Sequence, residues 1–89
     1  MTHEFSLMAD LMRKIEEVVR HEGDDGRVIG VTVKLGALAH VSPSHLREHF
    51  IHAARGTVAD GAELRITQSI DIRDEQAQDI ILESVEFAR

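Results

Sequence analysis

The stretch Arg27-Val28-Ile29-Gly30-Val31-Thr32-Val33-Lys34-Leu35-Gly36 is the one on which the fold turns. Its apolar residues recur every second position. Ile29, Val31, Val33 and Leu35 point one way, and Gly30, Thr32 and Lys34 point the other. β-Branched residues at a period of two make a strand with one buried face. A buried face needs something to cover it, and the flanking sequence supplies helices. Upstream, residues 4–22 place Met8, Leu11, Met12, Ile15, Val18 and Val19 at the i, i+3, i+4, i+7 spacing of an amphipathic helix. Gly23 and Asp24-Asp25-Gly26 end that helix and turn the chain into the strand.

Downstream, Ser42 is a good N-cap, Pro43 suits the first helical position, and Val41 is placed to staple onto Leu46. The second helix is expected to run to about Arg55 and stop at Gly56, with Leu46, Phe50, Ala53 and Ala54 as its apolar face. Residues 62–72 alternate again, with Ala62, Leu64, Ile66, Ile70 and Ile72 on one side and only Gln68 interrupting the apolar series. The polar run 74–79 reads as a connector, and residues 80–87, IILESVEF, as a last strand. The expectation is an α+β domain of order helix-strand-helix-strand-strand, with two helices packed on one face of a three-stranded mixed sheet. The first two strands, joined through a helix, can be parallel if adjacent, and the last two are expected to form a hairpin.

Composition narrows the function. The chain has 89 residues, which fits a single domain spanning 1–89, and a formal charge of -6. It has no Cys, so disulfides, thiolate zinc sites, iron–sulfur clusters and thiol nucleophiles are excluded. The acidic balance, with no Trp or Tyr and three Phe, argues against nucleic acid. No apolar run approaches a membrane helix, and the acidic start MTHEFSLMAD is unlike a signal peptide, so a cytoplasmic location is expected. Residues 60–89 hold eight acids and three bases, an excess that reads either as a solvated face or as a docking surface for a basic partner. HExxH, GxSxG, GxxxxGK[ST] and GxGxxG motifs are all absent, and no serine has an evident base, so no enzymatic activity is expected.

The residues that could carry chemistry are histidines. A terminal amine, deprotonated backbone amides and a nearby imidazole form a square-planar nitrogen set, which suits Ni(II) or Cu(II). His3 is placed for this, with Glu4 next to it. If Met1 is retained, His3 is the third residue; if Met1 is removed, His3 is the second and Glu4 the third. The alternative is a solvated terminal histidine. A second cluster, His45, His49 and His52, lies at i, i+4 and i+7 on the second helix. His45 and His49 can share a metal at that spacing, or all three form a polar stripe beside the apolar face. His21 and His40 read as structural or exposed.

Several segments together resemble a known family. His3-Glu4 followed by a helix, Val31-Thr32-Val33-Lys34-Leu35-Gly36-Ala37-Leu38, Leu46-Arg47 through Phe50, Gly56-Thr57-Val58-Ala59, Gly61-Ala62-Glu63-Leu64 and the closing Ile80 to Phe87 occur in the order seen in the HypA/HybF nickel-insertion accessory proteins of nickel–iron hydrogenase maturation. Members of that family carry a zinc module with two CxxC pairs between their second and third strands. Here residues 69–79 hold that place without a cysteine. The resemblance implies Ni(II) bound at the N-terminus by His3, Glu4, the amine and backbone amides, with no zinc. It implies as partners the nickel-handling GTPase of the pathway and the hydrogenase large subunit. The expected function is a nickel metallochaperone that passes its ion to a partner. The alternative is a metal-free adaptor related to the same family. An unpaired edge strand would also allow a homodimer.

Overall fold

The computed structural model describes residues 3–22 and 27–88, with side chains from Leu7 onward. Two helices and three strands follow one another as α1 (His3–Glu22), β1 (Val28–Leu35), α2 (Pro43–Ala54), β2 (Glu63–Gln68) and β3 (Ile80–Phe87). This is the expected α+β order. Both helices cover the same face of the sheet: α1 packs on β3 and α2, and α2 packs on β2.

The amphipathic pattern of α1 becomes burial. Met8, Leu11 and Ile15 are in the core, with Leu7, Met12 and Val19 packed around them. Its polar face is laced by Lys14 to Asp10 at 3.0 Å, Arg13 to Glu17 at 2.9 Å, and a further Arg13–Asp10 pair. Lys14 and Arg13 together hold the Asp10 carboxyl below its ordinary value. α2 starts as its sequence dictates. The Ser42 hydroxyl accepts from the His45 amide at 3.2 Å, Pro43 opens the helix, and Val41 packs against the core. Leu46, Phe50 and Ala54 are buried against the sheet. Gly56, at φ 74°, turns the chain out of α2 in a left-handed conformation.

The sheet order is β2-β1-β3, with β1 parallel to β2 and antiparallel to β3. The parallel pair agrees with expectation; the hairpin of the last two strands does not form. A hairpin would join β2 and β3 by a short turn. The connection of residues 69–79 is long enough to cross the end of β1 instead. This puts the most apolar strand in the centre, where both of its hydrogen-bonding edges are satisfied. Ser69 N–H donates to the Leu35 carbonyl on one side of that end, and Gly36 N–H to Asp79 on the other, both at 2.9 Å. Leu38 N–H adds a 2.7 Å bond to the Ala77 carbonyl. Gly36 is required there, because a Cβ would overlap the Ala77 carbonyl and lie 2.9 Å from that of Gln76.

Two further expectations are corrected. Ile29 is 47% exposed, although Val31, Val33 and Leu35 are buried as expected. Val28 pairs with Phe87 and Gly30 with Glu86, so Ile29 is the extra residue of a β-bulge, and Val28 takes the inward place. A second irregularity, between Thr32 paired to Ser84 and Val33 paired to Leu82, leaves Glu83 as the extra residue in β3. The strand expected over 62–72 ends at Gln68. Ile70 and Ile72 lie beyond it, 94% and 64% exposed. Asx-type bonds from Arg73 N–H to Asp71 and from Gln76 N–H to Asp74 bend this segment out of the extended form.

The uncovered face of the sheet is polar. Glu63 and Glu86 both flank Gly30, and Arg65 lies opposite Thr32. Arg65 pairs with Glu63 at 2.8 Å and reaches Glu86 on the far strand. Gly30 leaves room for this: its Cβ would stand 3.3 Å from Glu86 Oε1. No side-chain N or O is buried without a partner among the described residues.

Candidate functional site

Five of the six histidines lie on the two neighbouring helices, and His40 lies in the connection between β1 and α2. The α1 backbone begins at His3, but the side chains of His3 and Glu4 lie outside the described residues, as do Met1 and Thr2. One property of that end follows from helix geometry. Amides in the first turn of a helix have no intrahelical acceptor, so a metal can displace their protons without breaking the helical ladder.

His45, His49 and His52 are exposed on α2. The His45 and His49 rings meet edge to face, with centroids 6.4 Å apart. One helical turn therefore brings this pair together, as the sequence spacing indicates. The third imidazole does not join them in one ligand set: no group of three or more His, Asp or Glu side chains among the described residues is placed to hold a metal. His21 lies exposed in the last turn of α1, where a basic group suits the helix dipole, and His40 is exposed in the β1–α2 connection.

Among the described residues, two clefts lie beside α1. One, of about 370 Å³, is lined by Met8, His49, His52 and Ala53 where α1 crosses α2. Sequence reasoning places Met8 on a buried face and His52 on a polar stripe, and has no means to bring the two together. The other, of about 310 Å³, lies between the C-terminal end of α1 and β3 and includes Val18, Glu22, Glu83 and Phe87. Its described lining offers carboxylates but no imidazole.

The acidic C-terminal third is not one surface. β2 and β3 lie on opposite sides of β1 and form no acidic hairpin; Glu63 and Glu86 instead converge across β1 on Arg65, which neutralises part of their charge. In the connection, Asp74 accepts from Gln76 N–H at 2.9 Å and pairs with Lys34 at 3.4 Å. The backbone bond, with Lys34 second, holds the Asp74 carboxyl below its ordinary value. A thiolate zinc site does not fit residues 69–79, since the chain has no cysteine to supply it. No helix among the described residues is long and apolar enough to cross a membrane.

These features meet a family description. Residues 1–79 match the family model described as hydrogenase/urease nickel incorporation, metallochaperone, HypA. The chain is 41% identical over 64 residues to the hydrogenase maturation factor HypA of Methylocella silvestris, covering 72% of this chain and 56% of that protein. It is 39% identical over 66 residues to the hydrogenase maturation factor HypA 1 of Bradyrhizobium diazoefficiens, covering 74% and 58%. For HypA of Chlorobaculum tepidum the identity is 38% over 66 residues, again covering 74% and 58%. The chain thus spans little more than half the length of the relatives it matches. The family description is of metal incorporation rather than catalysis, in keeping with a sequence that has no catalytic motif. The match over residues 1–79 and these relatives make the chain a member of the HypA family of nickel-incorporation metallochaperones.

Proposed function

We propose that this chain binds Ni(II) at its N-terminus and releases it to a partner during hydrogenase maturation. The observation that carries this reading is the family match, which takes in the His3-Glu4 start as well as both helices and the first two strands. Helix α1 supports it by beginning at His3, since first-turn amides are open to metal. The ligands are the terminal amine, backbone amides and the His3 imidazole, with Glu4 next in the chain. Nickel is cargo, so the site must exchange it, and no bond of a substrate is made or broken. The partners are the nickel-handling GTPase and the hydrogenase large subunit, and the setting is the cytoplasm. The outer edges of β2 and β3 would serve a homodimer. A metal-free adaptor docking through a hairpin of the last two strands has less support, because β1 lies between those strands.

Amide nitrogens must lose protons to bind the ion, so affinity rises with pH. The test is Ni(II) titration of wild type, His3→Ala and N-terminally acetylated protein, after intact mass has settled whether Met1 is retained. The expected result is a square-planar, diamagnetic equivalent present in wild type and lost in both altered forms. The same equivalent in all three would overturn the proposal.

A further inference from the structure

We infer that the cleft between α1 and α2 is a second, weaker and exchangeable metal site, with His49 and His52 as its imidazole donors. Three observations meet there. His49 and His52 both line the cleft, and their i, i+3 spacing sets them on one side of α2. Among the described residues the remaining lining, Met8 and Ala53, is apolar, and the imidazoles are its nitrogen donors. At about 370 Å³ it also has room for an ion with its water ligands. His45, whose ring meets that of His49, is not among the described lining of the cleft.

The donor chemistry selects the ion. Imidazoles completed by water suit Ni(II), Cu(II) or Zn(II) and suit Ca(II) or Mg(II) poorly. Two imidazoles with water give a six-coordinate Ni(II), in contrast to the square-planar nitrogen set of a terminal chelate. The placement adds a functional sense. Met8 is five residues past His3 in α1, an axial distance of about 7.5 Å at a helical rise of 1.5 Å per residue. The cleft therefore lies beside the first turns of the helix that begins at the proposed chelate. A weak imidazole site there gives an arriving or departing ion a stopping point next to the tight one. The choice of nickel rests on the proposed function; the existence of the site does not.

The experiment separates the two by spin state and by variant. Square-planar Ni(II) is low-spin and diamagnetic, whereas six-coordinate Ni(II) with imidazole and water is high-spin and paramagnetic. The probe is Ni(II) alone, added to full-length protein with an acetylated N-terminus and followed by proton–carbon NMR of methyl groups. The expected result is saturable broadening of the Met8 ε-methyl and Ala53 methyl signals, at an affinity at least about ten-fold below that of the unmodified terminus. In His49→Gln/His52→Gln the broadening should disappear, while unacetylated variant protein keeps its diamagnetic equivalent. Both histidines are exposed, and thermal melts of the variant will show the fold retained. Absence of selective broadening in the acetylated wild type, or its persistence in the double variant, overturns the cleft site. Neither result bears on the terminal chelate, which stands or falls by its diamagnetic equivalent.

Discussion

Replacing Gly36 by Ala should destabilise the protein more than a methyl group added to any other described glycine. The added Cβ meets the backbone of Ala77 and Gln76, not the end of a flexible side chain, so rotation cannot relieve it. The 69–79 connection would have to lift away, straining the bonds from Gly36 N–H to Asp79 and from Leu38 N–H to Ala77. Overpacking costs about 1–3 kcal/mol, and each weakened backbone bond adds roughly 0.5–1.5 kcal/mol. With partial relaxation the total is about 2–4 kcal/mol, a large share of the roughly 4–13 kcal/mol expected for a domain of this size. In thermal terms this is a fall of roughly 10–25 °C in Tm. Far-UV circular dichroism is the right probe, because the chain has no Trp or Tyr to report by fluorescence. Gly56→Ala is the matched control: nothing lies within 4 Å of its Cβ position, but φ is 74°, so only a left-handed backbone penalty of about 1–2 kcal/mol applies. Amide exchange should show Leu38 losing protection in Gly36→Ala and keeping it in Gly56→Ala. A Gly36→Ala protein within about 0.5 kcal/mol of wild type, or more stable than Gly56→Ala, would refute the close-approach reasoning.

Other outcomes follow from single contacts. Ser42→Ala removes the hydroxyl that caps α2 at the His45 amide and should cost about 1 kcal/mol in urea denaturation, with Ser42→Asp restoring most of it. Phe50→Ala empties the largest fully buried side chain among the described residues, and a loss of about 3–5 kcal/mol should appear as a large fall in the urea midpoint. For Asp74 the folded carboxyl lies below its unfolded value, so its contribution is present above pH about 3.9 and is lost as pH falls through the folded value. The stability advantage of wild type over Asp74→Asn should therefore hold at pH 6 and vanish on acidification; an advantage independent of pH would contradict the assignment.

The elements of this protein were legible in its residues because each rests on local chemistry. Ser42 and Pro43 mark the start of α2, Gly56 its end, and Val31, Val33 and Leu35 the buried face of β1, all as found. What failed were statements about how elements meet. Ile29 continues an apolar alternation, yet a bulge opposite β3 turns it out, and no feature of β1 alone could signal that. Ile70 and Ile72 extend the period of β2 into a segment whose Asp side chains prefer to cap turns.

The candidate site divides along the same line. That His45 and His49 meet is dictated by one helical turn and could be read directly from their spacing. That His49 and His52 share a cleft with Met8 depends on how α1 crosses α2, which no spacing within either helix contains. By itself, then, the sequence determined the element order, the start and end of α2, the absence of thiolate ligands and the likeness to a nickel-handling family; the turn expected at residues 23–26 lies outside the described residues. Tertiary structure alone decided that β1 is central, that the last strands flank it, and that Glu63 and Glu86 meet Arg65 across it. The physical reason is that periodicity and capping are satisfied within a few neighbours, whereas strand order follows from which edges remain unpaired once the long connection has crossed the end of β1.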